Sequence, residues 1–182
     1  MNAADAAIAS VLRFWVAAGE DLWFAKDEAF DRRFRERFLD LHLAVAARRH
    51  DDWIGTAEGA LALIILADQF PRNAWRGTAH MYATDPLARL YGRQAARAGF
   101  MAQVPDALKV FFVLPFAHSE HPADQDLCVA LSAALDAEAR EHAGMHRDII
   151  RRFGRFPHRL AMLARETTPE EAAFLANGGF GG

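Results

Sequence analysis

Apolar side chains recur at Phe30, Phe34, Phe38, Leu41 and Val45, at steps of four, four, three and four residues. Those steps keep all five on one stripe of a helix, predicted over about 27–49. Ile8, Leu12 and Trp15 show the same periodicity on an earlier helix over about 3–18, which the Gly19 region ends. Trp23 and Phe24 lie in the connection, placed to cover the core between these two helices. The run Ala60-Leu-Ala-Leu-Ile-Ile-Leu-Ala67 is apolar on every side, so its helix is expected to be central and buried. Thr56 is its candidate N-cap and Phe70-Pro71 its predicted stop.

Asp85-Pro86 starts the next helix, because aspartate accepts from free backbone N–H groups there and proline in the first turn forfeits no hydrogen bond. Gly99 is its predicted end. A helix over about 105–114 is expected to be disrupted by Pro115, which removes a hydrogen bond and crowds the preceding turn. From 122 to about 143, Leu127, Leu131, Ala134 and Leu135 make an amphipathic pattern, followed after Gly144 by a shorter helix through Phe153. The most explicit start is Thr168-Pro-Glu-Glu171. It combines a capping box, proline in the first turn and carboxylates at the positive end of the helix dipole, and Asn177-Gly178 closes the helix. The glycine-rich end from Gly178 onward is expected to fray. The runs 61–66 and 110–114 also suit buried strands, but no hairpin turn joins two alternating segments. The predicted fold is all-α, with successive helices paired as antiparallel hairpins in a stacked array and no self-similarity at a fixed period.

Bulk composition narrows this picture without redirecting it. A chain of 182 residues fits one hydrophobic core, so a single domain over 1–182 is expected. With 52% apolar and 25% charged residues it is globular rather than disordered. A net charge of −3 carries no overall nucleic-acid signature, yet seven arginines between Arg140 and Arg165 meet only Glu141 and Asp148 in that stretch. Lys26 and Lys109 are the only lysines, so arginine is simply the usual cation of this chain. Cys128 cannot form an internal disulfide, and its apolar helical setting suits a reduced, packed thiol and a cytoplasmic location. Residues 1–16 lack a secretory pattern. The longest apolar runs are eight residues, so no membrane span is expected.

Three polar-aromatic segments interrupt the apolar pattern. In Asp68-Gln69-Phe-Pro-Arg72-Asn73, the aspartate can orient the guanidinium of Arg72 toward a carboxylate or phosphate. The structural alternative has Arg72 pairing with Asp68 and Asn73 bonding the turn backbone. In Pro115-Phe-Ala-His118-Ser-Glu120-His121-Pro-Ala-Asp-Gln125, a metal set of His118, Glu120 and His121 is weighed against Ser119 and Glu120 satisfying backbone donors of the following helix. Gln125 is expected to face inward or cap a loop. No zincin spacing or cysteine cluster supports a metal, and none is assigned. In the third segment His146 lies beside Ile149 and Ile150, where a polar imidazole must find a partner. After Gly154 a short loop displays Arg155, His158 and Arg159 between Phe153 and Phe156, which suits anion binding. Nucleophile-elbow, phosphate-loop and dinucleotide motifs are absent from the sequence, and the identity of any cofactor is left open.

Taken in order, the segments Asp68 to Asn73 with Arg76-Gly77, Pro115-Phe-x-His118-Ser-Glu120 with Asp124-Gln125, and His146-Arg-Asp-Ile-Ile with Phe153 to Arg159 resemble the bacterial family known as domain of unknown function 924. Phe14-Trp15, Trp23-Phe24, Phe30-Asp31 and Thr168-Pro-Glu-Glu171 fit the same pattern, so the resemblance covers nearly the whole chain. It implies an all-α fold related to tetratricopeptide-type hairpins and brings no activity with it. The family usually continues Phe-Pro-His-Arg with Asn, where this chain has Leu160.

The expectation is a small-molecule site at which the separated segments converge. Arg72, Arg155 and Arg159 would hold an anion with Gln69, Asn73, His118 and Gln125 nearby, His146 and His158 would be the acid–base candidates, and Asp68 and Glu120 would orient them. The alternative is a helical-hairpin module for a peptide or protein partner, with the motifs as internal struts. Neither a nucleic acid nor a membrane is an expected partner, and the oligomeric state is left open.

Overall fold

The computed structural model describes residues 3–181, and every regular element among them is helical. Contacts divide the chain into two compact units. One holds the residues up to Arg76 together with His80–Pro115; the other holds Gly77–Ala79 and the residues from Phe116 on.

The first unit is built from α1 (Ala3–Ala18), α2 (Glu20–Trp23), α3 (Glu28–Ala46), α4 (Ala57–Ile64), α5 (Phe70–Ala74), α6 (Asp85–Ala98) and α7 (Asp106–Ala117), whose last two residues count with the second unit. The predicted stripe of α3 is the inner face: Phe30, Phe34, Phe38 and Val45 are buried, joined by His42. Its start is fixed by Asp27, which accepts the Phe30 N–H at 2.7 Å. Trp23 ends the short α2 and stacks on Trp15 at 6.2 Å, donating its indole N–H to the Trp15 carbonyl at 2.7 Å. Phe24 is 62% exposed, yet its ring stacks on the buried Phe111 at 6.1 Å and so covers the core from the solvent side.

As predicted, Thr56 caps α4, accepting the Gly59 N–H at 3.0 Å, and every residue of α4 except Glu58 is buried. A Cβ added at Gly59 would collide with the Trp53 carbonyl oxygen and press on the Thr56 hydroxyl. Gly59→Ala is therefore expected to destabilise the protein by about 2 kcal/mol through overpacking against rigid backbone, read as a lower urea midpoint.

The central helix does not stop at Phe70-Pro71. It passes through a π-helical stretch, Ile65–Gln69, and continues as α5 to Ala74. In this wider register the Phe70 N–H reaches the Ile65 carbonyl, so the corresponding donor for Leu66 would be residue 71, a proline without an N–H. Side chains from elsewhere in the unit meet the carbonyls this leaves. His42 Nδ1 lies 2.8 Å from the Leu66 oxygen, and the Thr84 hydroxyl donates to Ala67 at 2.5 Å. Proline is tolerated because the widened turn and these two side chains remove its usual cost. Pro115 likewise lies inside α7, which runs on to Ala117.

The second unit contains α8 (Pro122–Ser132), which packs on α9 (Ala137–Phe153), and α10 (Pro169–Ala176). The break in the predicted 122–143 helix falls at Ala133–Asp136 rather than at Gly144. Asp136 caps α9 by accepting the Ala139 N–H at 2.8 Å, and Gly144 sits within that helix. A side-chain cap thus outweighs the modest helix cost of one glycine. Gly154, at φ 70°, ends α9, and Thr168 with Glu171 forms the predicted capping box of α10. Ile149, Ile150 and Phe156 make a small core with Met145, Phe153, Phe174 and Phe180 against it.

Candidate functional site

In the first unit, the π-helical stretch and α5 present Asp68, Gln69, Arg72 and Asn73 to one another and to two acids outside the motif. Arg72 makes a fork to Asp85, with Nη1 and Nη2 at 2.9 and 3.1 Å from its two carboxylate oxygens, and Nη1 also donates to the Asp68 carbonyl at 2.8 Å. Burial opposes the Arg72 charge, but the Asp68 and Asp85 carboxylates more than offset it, raising its pKa above the ordinary value. Gln69 donates to Asp68 at 2.7 Å, and Asn73 donates to Asp31 at 2.7 Å. Asp31 also holds Arg76 through contacts of 2.9 and 3.1 Å. This is a pinned network that ties α3, α5 and α6 to the irregular turn.

In the second unit the predicted residues divide into two groups. Gln125 is buried, and its Nε2 donates to the carbonyls of Phe116, Ala117 and Ser119 at 3.2, 2.9 and 2.6 Å, closing the end of α7. Ser119 donates to Asp124 at 2.7 Å. Glu120 accepts the Phe156 N–H at 3.0 Å and Arg165 at 2.7 Å, and so braces the Arg155–Arg159 loop rather than the helix after it. Arg155 forks onto Glu171 at 2.6 and 2.8 Å. That contact, with the Thr168 N–H, holds the Glu171 carboxyl down to about 2. The arginine-rich stretch is neutralised in the same manner: Arg151 meets Asp126 at 3.3 Å and Arg152 meets Glu170 at 3.0 Å.

The other group is His118, His146, His158 and Arg159, with the rings of Phe156 and Phe180. His146, 8% exposed on α9, sits edge-to-face with Phe156 at 5.5 Å and Phe180 at 4.7 Å. His158 lies 5.5 Å from Phe156 and 5.1 Å from Phe180, and Arg159 stacks over Phe156 at 4.5 Å. Burial, reinforced by His118, His142, Arg159 and His158, pushes the His146 imidazole down to about 3. Its ring is neutral at pH 7, and its buried Nδ1 has no hydrogen-bond partner in the protein. A buried polar atom left without a partner is uncommon and costly, so the His146 Nδ1 calls for a physical account.

Cys128 is buried, and burial pushes its thiol up to about 11, so it stays protonated. Among the described residues no three His, Cys, Asp or Glu side chains are grouped to hold a metal, and no helix is long and apolar enough to cross a membrane.

The family model "Bacterial protein of unknown function (DUF924)" matches residues 11–179. The chain belongs to this family. Among solved structures, that of protein of unknown function ATU0120 from Agrobacterium tumefaciens is similar to this DUF924 chain. It is 52% identical to this chain, covers 96% of it and 99% of its own length, and superposes with a TM-score of 0.93. No curated protein matches.

In this DUF924 member Leu160 is buried, and its carbonyl accepts the Arg165 N–H at 2.9 Å. Four residues of these networks escape sequence reading: Asp31, Asp85, Glu171 and Phe180. Asp85 reads as a helix cap, although the cap position is Thr84. Glu171 reads only as part of a capping box, and Phe180 belongs to a tail expected to fray.

Proposed function

We propose that this DUF924 protein binds a small anionic molecule at the His118, His146, His158 and Arg159 cluster of its second unit. The observation that carries the reading is the buried Nδ1 of His146, without a partner in a surrounding of imidazoles and a guanidinium. A carboxylate or phosphate oxygen placed there would satisfy the nitrogen and meet a field of positive sign. The same contact would raise the proton affinity of His146 toward neutrality, the condition for proton transfer, and His158 is the second candidate for such a step. Arg155 and Glu120 act in this reading as braces of the loop that carries His158 and Arg159. Asp68, Gln69, Arg72 and Asn73 serve as the strut of the first unit. A cytoplasmic setting belongs to the same proposal, supported by the buried thiol of Cys128.

The alternative of a peptide-binding module draws little support. The exposed large apolar side chains among the described residues are Val16, Phe24 and Leu43, single positions of a kind common on any surface.

The test is imidazole NMR on the full chain with four probes: acetate, inorganic phosphate, benzoate and phenyl phosphate. At least one should shift the His146 ring signals saturably at ~1–10 mM, and raise the melting temperature of the wild type but not of His146→Gln. Absence of any saturable shift with all four would rule out the site.

A further inference from the structure

The glycine-rich end is routed with care for a segment of its composition. Gly178 takes φ 79°, and the N–H groups of Gly178 and Gly179 return to the Leu175 and Phe174 carbonyls at 3.3 and 2.9 Å. This is the double closure in which a left-handed residue turns the chain back across the helix end. A Cβ at Gly179 would lie 2.5 Å from the Phe174 ring, so only glycine passes this point without displacing that ring. Two constraints on consecutive residues therefore set the course of the chain into Phe180.

The Phe180 ring is partly buried and stands edge-to-face to both His146 and His158, with interplanar angles of 71° and 84°. It covers His146, whose buried Nδ1 lacks a hydrogen-bond partner, and it offers that nitrogen no hydrogen bond. An aromatic ring thus occupies a position whose polar requirement it cannot meet. A ligand with the same flat ring and an attached anion would keep the aromatic contacts and supply the missing acceptor.

The geometry points to a small aromatic anion, a ring bearing a carboxylate or phosphate, as the ligand class of this cluster, with Phe180 as a displaceable cap that yields its place to the ligand ring. The inference rests on the anion-site reading above. Imidazole faces and edges favour an aromatic partner over an aliphatic one, and Arg159 over Phe156 adds a cation near the anionic end. A cap that must leave before the ligand enters reduces apparent affinity by the fraction of molecules that are uncapped.

Titration calorimetry on the full chain tests this with benzoate against acetate and phenyl phosphate against inorganic phosphate, in the wild type, Phe180→Ala and Phe180→Leu. Each ring-bearing probe should bind ~10-fold or more tightly than its ringless counterpart, and Phe180→Ala should tighten the ring-bearing probes ~5-fold or more by removing the capped state. Phe180→Leu keeps apolar bulk without the aromatic edge and should fall between the two, which preserves the test if the alanine variant folds poorly. Equal binding of ringed and ringless probes, or unchanged or weaker aromatic binding in the Phe180 variants, overturns the cap and the ligand class while leaving an anion site standing. No binding of any probe to any variant removes both readings.

Discussion

Arg72→Met is expected to lower folding stability by about 3–5 kcal/mol, the usual loss when one partner of a buried ion pair is removed. Methionine retains the apolar stem but removes the guanidinium that Asp68 and Asp85, whose side chains are only 1% and 8% exposed, share. Two buried carboxylates in mutual repulsion take up protons more readily than usual. The deficit should therefore be greatest at neutral pH and shrink as acidification neutralises them. Urea unfolding at pH 7 and pH 5 reads both features, as a lowered midpoint at nearly constant slope. A loss below about 1 kcal/mol at pH 7 would mean that the network contributes no more than a surface pair.

His146 should make the protein acid-sensitive well above the range where carboxylates titrate. Its folded pKa of about 3 lies below the 6.5 of an unhindered imidazole, so between those values the unfolded chain binds the additional proton. Stability from this residue is thus complete above pH 6.5 and is withdrawn as pH falls toward 3. The linkage relation gives a loss of ~2 kcal/mol between pH 7 and pH 5 from this residue alone. His42, buried against the Leu66 carbonyl and also lowered by its burial, acts in the same direction. Comparing the wild type with His146→Gln isolates the first contribution, since the variant should lose stability less steeply with acid by nearly one proton below pH 6. Parallel pH profiles for the two proteins would contradict the low proton affinity assigned to His146.

Most of the fold is legible in the sequence because its signals are local. The α3 stripe, the Thr56 and Thr168 caps and the Gly99 and Gly154 ends each depend on residues within a turn or two of one another. The sequence misplaces the breaks at Pro71, Pro115 and Gly144 because proline and glycine carry only a local cost, whereas its compensation comes from elsewhere. His42 and Thr84 serve carbonyls 24 and 17 residues away. The same reason limits what can be read of the polar motifs. Their partners Asp31, Asp85, Glu171 and Arg165 stand 13 to 45 residues from the groups they bind. A window that sees seven arginines and two acids reports a positive zone, and folding cancels much of it. His146 stands out for its place beside Ile149 and Ile150, but nothing in the sequence indicates that one of its nitrogens would lack a partner.

The widened turn at Ile65–Gln69 amounts to one residue inserted into an otherwise α-helical count. Each residue of an α-helix turns the chain by about 100°, so the insertion determines which way everything beyond it points. Excising a single position there would rotate Arg72, Asn73 and Arg76 together, away from both Asp85 and Asp31, and would set Pro71 against a carbonyl it now avoids. The phase of this one helix thus aligns three separate ion and amide contacts, and a change of chain length there would be far less forgiving than a change of side chain.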